Sequence, residues 1–149
     1  MTTYAAGVHA LARRDIFIAY GDTDAAGIIY YASWFRWMER MHTEWLFGHG
    51  VRFPELFDLC GASVVTRSTS CEYLAIVRPY DLVTMSMALE YRGQHSYRLG
   101  FTMIQPDGRL VARSTLHMVG VDRTGVKTAV PEPIDAALAA GPLTETSRK

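Results

Sequence analysis

Two acidic residues in a short loop are the groups of this chain best suited to chemistry. Asp22 and Asp24 stand in a run of small residues that ends at Gly27, and an aromatic and aliphatic stretch follows at once. A carboxylate can attack a carbonyl carbon or activate water as a general base. Free N–H groups at the start of a following helix can hold a developing negative charge. The segment therefore predicts chemistry on a carbonyl group, centred on Asp24, with capping of the turn or helix as the alternative role.

A long amphipathic helix follows the loop and has to position it. Apolar residues at helical spacing predict a helix that starts at about Tyr31 or Ser33 and ends at Phe47. Gly48 and Gly50 are typical stop signals beyond it. So much aromatic surface on one helix requires a broad partner, which we expect to be a sheet. The stripe that faces this sheet consists of Trp34, Met38, Met41 and Trp45.

The rest of the chain has the composition of strands. Segments rich in Val, Thr, Tyr and Met alternate with turn residues, and the last three strands are joined by short connections, which favours an antiparallel meander. These features predict an α+β fold for residues 1–149, with a core at about 14–135 and short loose termini. The expected strands are residues 16–20, 62–77, 82–91, 97–104 and 110–121, and the expected short helices are residues 54–59 and 131–140.

Composition excludes several classes of protein. The chain has 149 residues, of which 49% are apolar, and its 15 basic residues balance its 15 acidic residues, so nothing favours wholesale binding of nucleic acid. No apolar run is long enough for a membrane span. Cys60 and Cys71 are too few for a disulfide scaffold and lack metal-ligand spacing, which fits a reducing, cytoplasmic setting and no bound metal.

The loop residues resemble a known family. The segment from Gly21 to Tyr31, Gly-Asp-Thr-Asp-Ala-Ala-Gly-Ile-Ile-Tyr-Tyr, is similar to the signature loop of hotdog-fold acyl-CoA thioesterases of the 4-hydroxybenzoyl-CoA thioesterase type. Glu39-Arg40 and Thr43-Glu44 resemble the helix of the related Tol-Pal-associated acyl-CoA thioesterases. The resemblance covers about residues 14–135. It departs from the family pattern at Ala25, where Pro or Gly is frequent.

The resemblance implies a fold, an assembly and a reaction. The expected fold is a hotdog fold, in which an antiparallel sheet wraps around the central helix. Homodimers with a continuous sheet are expected to assemble into homotetramers, and a CoA thioester is expected to be hydrolysed without a metal or organic cofactor. Asp24 is then the nucleophile or general base, Asp22 is structural, and the backbone N–H of Tyr31 polarises the carbonyl. Gly27 supplies the loop's backbone shape. The alternatives are a packed aromatic at Tyr31 and a plain turn at Gly27.

The remaining predicted contacts involve the substrate. Besides Asp22, the candidates are Trp34 for stacking on the acyl group, Arg92 for a CoA phosphate and Ser96 for the pantetheine arm. An aromatic or otherwise compact acyl group is favoured over a long chain. A core position for Trp34 and a solvated hairpin for the other two residues are the alternatives.

Rival interpretations concern other groups and other functions. Glu39 is a second candidate acid, because some hotdog thioesterases carry theirs on the long helix, but an ion-paired surface with Arg36 and Arg40 is the simpler role. The chain can instead be a non-catalytic hotdog module that binds acyl-CoA or a protein. A hotdog dehydratase would need a histidine in the site, and the loop from Gly21 to Tyr31 has none.

Overall fold

The computed structural model describes residues 10–142. In this part of the chain, a five-stranded antiparallel sheet packs on one long helix. The strand order is β1-β3-β4-β5-β2, so the meander predicted for the last three strands is confirmed. The strands are β1 (Ala10–Phe17), β2 (Ala62–Tyr73), β3 (Leu82–Arg92), β4 (Ser96–Ile104) and β5 (Leu110–Asp122). The helices are α1 (Ser33–Gly48), α2 (Leu56–Cys60) and α3 (Glu132–Ala140), with 3-10 turns at Tyr20–Asp22 and Phe53–Glu55.

Helix α1 lies in the core as its apolar stripe predicted. The four residues of that stripe are at most 3% exposed. The strands facing it bury every second residue, such as Val83, Met85 and Met87 of β3, because side chains alternate between the two faces of a sheet. The helix is therefore anchored along its length, and its first turn is held in a fixed place beside the acidic loop.

The first strand differs from its prediction. It runs from Ala10 to Phe17 rather than over residues 16–20, so part of the segment expected to be loose is paired with β3. Arg14 interrupts the apolar pattern of the strand, yet a charged side chain in an edge strand can reach solvent, and this arginine bonds Glu44 of α1 at 2.6 Å. The remaining N-terminal residues and most of the tail expected to be loose after residue 141 lie outside the described residues.

The second strand ends four residues before its predicted end. The backbone N–H groups of Leu74 and Ala75 both donate to the carbonyl of Val111, at 2.9 and 3.1 Å, so regular pairing stops there. The chain then turns toward the acidic loop, where the N–H of Ile29 donates to the carbonyl of Val77 at 2.7 Å. The segment after β2 is therefore what attaches this loop to the sheet. No helix between residues 10 and 142 is long and apolar enough to cross a membrane.

Candidate active site

The loop that carries the two acids is built from backbone hydrogen bonds. The N–H of Gly27 donates to the carbonyl of Asp24, and the N–H of Asp24 donates to the carbonyl of Ile28, each at 3.0 Å. Gly27 has φ of +75°, a conformation that costs other residues roughly 1–2 kcal/mol. A side chain there would meet no atom within 4 Å, so the turn requires glycine for its backbone conformation and not for space. This geometry supports the predicted role of Gly27 in shaping the loop, and it is also that of a turn glycine.

Asp22 ties the loop together. Its Oδ2 accepts from the N–H of Ala19 at 2.9 Å, and its carbonyl accepts from the N–H of Tyr30 at 2.9 Å and from the hydroxyl of Ser33 at 3.0 Å. The first acid therefore connects the preceding 3-10 turn to the start of α1. These bonds favour the structural role that the family resemblance implied over a substrate-binding role.

Asp24 keeps one carboxylate oxygen available. Its side chain is exposed, and Oδ1 accepts from the N–H of Ala26 at 2.8 Å, as in an Asx turn. Within residues 10–142, Oδ2 has no hydrogen-bond partner. The capping alternative thus applies to one oxygen, which fixes the carboxylate while leaving the other oxygen able to react. The neighbouring Tyr30 has a raised pKa, mainly through its hydrogen bond with the Tyr31 hydroxyl and in smaller part through the charge of Asp24.

Tyr31 lies two residues before helix α1 begins. Its backbone N–H donates to no group in the described chain, whereas the adjacent carbonyl of Tyr30 accepts from the N–H of Ser33 at 2.8 Å. The Tyr31 ring is 60% exposed, so the packed-aromatic alternative does not describe it. An N–H that lies just ahead of a helix, with no acceptor among residues 10–142, supports the donor role of Tyr31, which stays a prediction.

Two adjoining cavities extend from the helix start along α1. The first is an open cleft of about 520 Å³ that runs from Asp22 and Ser33 to Glu39. The second is a mainly apolar cavity of about 330 Å³ between α1 and the strands β2 and β5, and both are lined by Phe35 and Glu39. Trp34 is 1% exposed and packs in the core, so the structure gives it the core role instead of the predicted contact with an acyl group.

A buried polar pair borders the apolar cavity. His42, 3% exposed, bonds the hydroxyl of fully buried Tyr97 through Nε2 at 2.8 Å. Burial lowers the pKa of His42 to about 4 and raises the pKa of Tyr97, so both side chains are neutral near pH 7. Sequence analysis did not single out this pair, because the two residues are 55 positions apart and only packing brings them together.

Glu39 does not form the predicted ion pair. Its Oε1 accepts from the hydroxyl of Thr43 at 2.6 Å, and no basic side chain among residues 10–142 lies within salt-bridge distance of it. The guanidinium groups of Arg40 and Arg14 lie over the ring of Trp37 instead, at 5.2 and 5.6 Å from its centroid. At an exposed site a guanidinium gains about as much from an aromatic face as from a carboxylate, roughly 0.5–1 kcal/mol, so an ion pair with Glu39 has no large advantage. Glu39 therefore borders both cavities as a carboxylate without a cation.

The hairpin predicted to bind CoA carries paired charges. Arg92 holds Asp135 of α3 through two bonds of 2.8 and 2.9 Å, and these bonds raise the pKa of the arginine. Arg98 pairs with Glu90 at 3.1 Å. The hydroxyl of Ser96 makes no hydrogen bond within the described part of the chain. The solvated-hairpin alternative describes this region, and a phosphate would have to compete with Asp135 for Arg92.

A further contact reaches the loop from the sheet. The hydroxyl of Tyr73, the last residue of β2, donates to the carbonyl of Tyr31 at 2.7 Å. Nothing in the sequence indicated that Tyr73 contacts this loop, since a single sequence does not report a contact between residues 42 positions apart.

Comparison with known proteins identifies relatives over most of the chain. The family model described as the thioesterase-like superfamily matches residues 18–138. Acyl-CoA thioester hydrolase YbgC of Escherichia coli is 31% identical over 129 residues, covering 85% of this chain and 94% of the relative. A 1,4-dihydroxy-2-naphthoyl-CoA hydrolase of Thermosynechococcus vestitus is 23% identical over 133 residues, covering 89% and 91%.

Solved structures share the fold. A 1,4-dihydroxy-2-naphthoyl-CoA thioesterase from Synechocystis superposes with a TM-score of 0.78 at 17% identity, covering 85% of this chain and 94% of that one. An aspartate-to-asparagine variant of 4-hydroxybenzoyl-CoA thioesterase, in complex with 4-hydroxybenzoyl-CoA, gives 0.75 at 18% identity, covering 85% and 97%. The expected hotdog fold is thereby confirmed.

Proposed function

Because this chain belongs to the thioesterase-like superfamily, we propose that it hydrolyses an acyl-CoA thioester with Asp24 as its nucleophile or general base. The chain is a thioester hydrolase by family. The catalytic residues and the acyl group are the parts of the proposal that go further. The observation that carries it concerns two groups of one loop: the Asp24 carboxylate is held through Oδ1, and neither its Oδ2 nor the N–H of Tyr31 has a hydrogen-bond partner among residues 10–142.

Two routes are open to the carboxylate. In the first, Oδ2 of Asp24 attacks the thioester carbon, the C–S bond breaks to release CoA as the thiolate, and water then hydrolyses the resulting mixed anhydride. In the second, Oδ2 takes a proton from a water molecule that attacks the same carbon, and the C–S bond then breaks, so that the acid is released and the CoA thiolate takes up the proton. Both routes develop negative charge on the carbonyl oxygen, which the N–H of Tyr31 would stabilise. Loss of such a donor typically slows catalysis by about 10²–10³.

The cavities support an aromatic or compact acyl group. The apolar cavity of about 330 Å³ adjoins the cleft at the helix start through Phe35 and Glu39, so an acyl chain entering there meets mostly apolar side chains. Several relatives and structural neighbours are named for aromatic thioesters, namely 1,4-dihydroxy-2-naphthoyl-CoA, 4-hydroxybenzoyl-CoA and gentisyl-CoA. We therefore place an aromatic acyl-CoA first among the substrates.

The second strand provides a surface for assembly. β2 lies at the edge of the sheet, its residues 65–70 are exposed, and Arg67 is an extra residue in its pairing with β5. An unpaired edge favours a partner strand that would satisfy its open backbone groups. Pairing of β2 with a second copy would give the homodimer expected from the family resemblance, and we propose dimers of this kind as the unit of a homotetramer in the cytoplasm.

A thiol-release assay on three carboxylate variants tests the catalytic assignment. Aromatic, short-chain and long-chain CoA esters are given to the wild type and to Asp24→Asn, Asp22→Asn and Glu39→Gln. We expect Asp24→Asn to lower kcat by roughly 10²–10⁴-fold while keeping the fold, because its amide can still accept from Ala26 but cannot act as nucleophile or base. Asp22→Asn is the matched control, since its amide oxygen can still accept from Ala19.

The other outcomes assign other roles. Wild-type rates in Asp24→Asn together with loss of turnover in Glu39→Gln would transfer the catalytic role to the helix. A wild type that binds CoA esters but releases no thiol from any of them would be a binding module. Faster turnover of long-chain than of aromatic esters would contradict the proposed acyl group alone.

A further inference from the structure

Tyr73 makes a tertiary contact with the residue proposed to polarise the substrate. Its hydroxyl donates to the carbonyl oxygen of Tyr31 at 2.7 Å, across 42 residues of sequence. The other hydrogen bonds of the chain between Asp22 and Ser33 mostly link residues of that segment with one another. Tyr73 thus fixes, from the end of an edge strand, a loop that is otherwise largely organised by its own backbone.

The effect on Tyr31 follows from peptide geometry. In a trans peptide group the C=O and the N–H point in opposite directions, so fixing one fixes the other. The peptide group that contains the Tyr31 N–H has its carbonyl, that of Tyr30, bonded to the N–H of Ser33 at 2.8 Å. The next peptide group has its carbonyl, that of Tyr31, bonded to Tyr73. The peptide groups on both sides of the Tyr31 Cα atom are thus held by hydrogen bonds. The N–H of Tyr31 therefore keeps one direction, although it has no acceptor of its own among residues 10–142.

We propose that Tyr73 is a positioning residue, which fixes the backbone of Tyr31 so that its N–H is preorganised toward the thioester carbonyl. The inference rests on the proposed function and adds to it the group that orients the carbonyl donor. Electrostatic stabilisation of a transition state depends on donors that need no reorganisation during the reaction. The hydrogen bond from Tyr73 limits the movement of the Tyr31 backbone, so its N–H needs little reorganisation during the reaction.

The chemistry of the tyrosine suits the role. Burial of its hydroxyl, and then the neighbouring Cys71, raises the pKa of Tyr73 to about 12, so the hydroxyl stays protonated and remains a donor throughout the neutral range. The side chain as a whole is 48% exposed. It therefore contributes little to the core, and loss of its hydroxyl should leave the fold unchanged.

Tyr73→Phe tests the inference with a matched control. Tyr91→Phe removes a hydroxyl from a tyrosine of β3 that is 49% exposed. This hydroxyl has no hydrogen-bond partner among residues 10–142. We expect Tyr73→Phe to lower kcat/KM by about 5- to 10-fold, the value of one lost hydrogen bond. Tyr91→Phe should match the wild type.

Binding of two unreactive analogues separates positioning from general support of the fold. One analogue replaces the thioester sulfur by CH₂ and keeps the carbonyl, and the other is a thioether that lacks the carbonyl. Tyr73→Phe should weaken binding of the ketone analogue by about 5-fold and leave the thioether unaffected, because only the ketone uses the Tyr31 N–H.

Each outcome bears on one proposal. Unchanged kcat/KM in Tyr73→Phe, or equal weakening of both analogues, would overturn the positioning role while an active wild type upholds the proposed function. A wild type that turns over no CoA ester would end the proposed function and this inference together.

Discussion

Two sets of polar groups along α1 differ in their exposure and in their hydrogen bonding. At the helix start, the loop exposes the Asp24 carboxylate and the Tyr31 N–H, and each has a hydrogen-bonding group without a partner in the described chain. Further along the helix, His42 and Tyr97 are almost fully buried and bond each other at 2.8 Å. Both sets depend on the same helix, but only the first leaves polar groups free to meet a substrate.

The difference reflects the cost of burial. An unpaired polar group in the core costs roughly 1–3 kcal/mol, so the buried histidine is paired and neutral. An exposed group escapes that cost because water satisfies it until a substrate replaces the water. Groups that are held in place but left unpaired are therefore better candidates for chemistry than polar groups that are merely conspicuous in the sequence.

Apart from loss of the Asp24 carboxylate itself, the largest expected effect comes from breaking the geometry of the loop. Gly27→Val forces a branched residue to adopt φ near +75°, and the strain can be relieved by moving Asp24, whose carbonyl accepts from the N–H of residue 27. Since a displacement of about 1 Å can cost 10²-fold, we expect kcat to fall by about that factor in the thiol-release assay.

Gly108→Val provides the control for strain alone. Gly108 has φ of +88° in the turn between β4 and β5, and a side chain there would also meet no atom within 4 Å. Both variants should lose similar thermal stability, whereas only Gly27→Val should lose kcat. Equal kcat in the two variants would show that the shape of the acidic loop is irrelevant to turnover.

The second effect concerns the buried pair and the pH dependence of stability. The pKa of His42 is 6.5 in the unfolded chain and about 4 in the folded chain. Between pH 6.5 and about pH 4 the unfolded state therefore binds a proton at this residue, whereas the native state mostly does not. The free energy of unfolding should therefore fall as the pH drops, by roughly 2 kcal/mol between about pH 6.5 and pH 5 from this group.

His42→Gln should remove that contribution, because the amide can still bond Tyr97 but does not titrate. Urea unfolding of wild type and variant at about pH 8 and pH 5 measures it, since the pH 8 difference reports only packing. A variant that loses as much stability as the wild type on acidification would contradict a buried neutral histidine.

The smallest effect is expected at the exposed, paired arginine. Arg92→Ala breaks the pair with Asp135 on the surface, where ion pairs contribute little, so stability and KM for CoA esters should change only slightly. Asp135→Asn removes the ion pair but keeps Arg92, and so separates the role of Arg92 in this pair from a role in phosphate binding. If the arginine binds a CoA phosphate, KM should rise in Arg92→Ala and fall in Asp135→Asn, which would restore the predicted role of this hairpin.

Much of the fold was predictable because its signals are local. The helical spacing of Trp34 and Met38, the alternation in the strands and the turn residues between them act over a few positions, and the elements formed close to where they were expected. The first strand was misplaced because Arg14, a charged residue in an edge strand, weakens the apolar alternation. The structural role that the family resemblance implied for Asp22 stays a prediction, and the hydrogen bonds that it makes at both ends of the loop favour it.

Assignments that depend on partners in space were the least predictable from the sequence. Trp34 suits both an acyl pocket and a core, and only its packing decided for the core. Arg92 and Glu39 were judged by their charge, yet the partner of the first lies 43 residues away and the second bonds a hydroxyl rather than a cation. Charge in a sequence indicates what a side chain can bind, while its neighbours in space determine what it does bind.

The sequence by itself determined the family, the succession of helix and strands, and the acidic loop with its glycine, because each is encoded by residues close together in the chain. Only the tertiary structure decided that one oxygen of Asp24 has no partner among residues 10–142, that His42 meets Tyr97, and that Tyr73 bonds the backbone of Tyr31. These facts depend on distances between atoms far apart in sequence, which are set when the sheet closes on the helix.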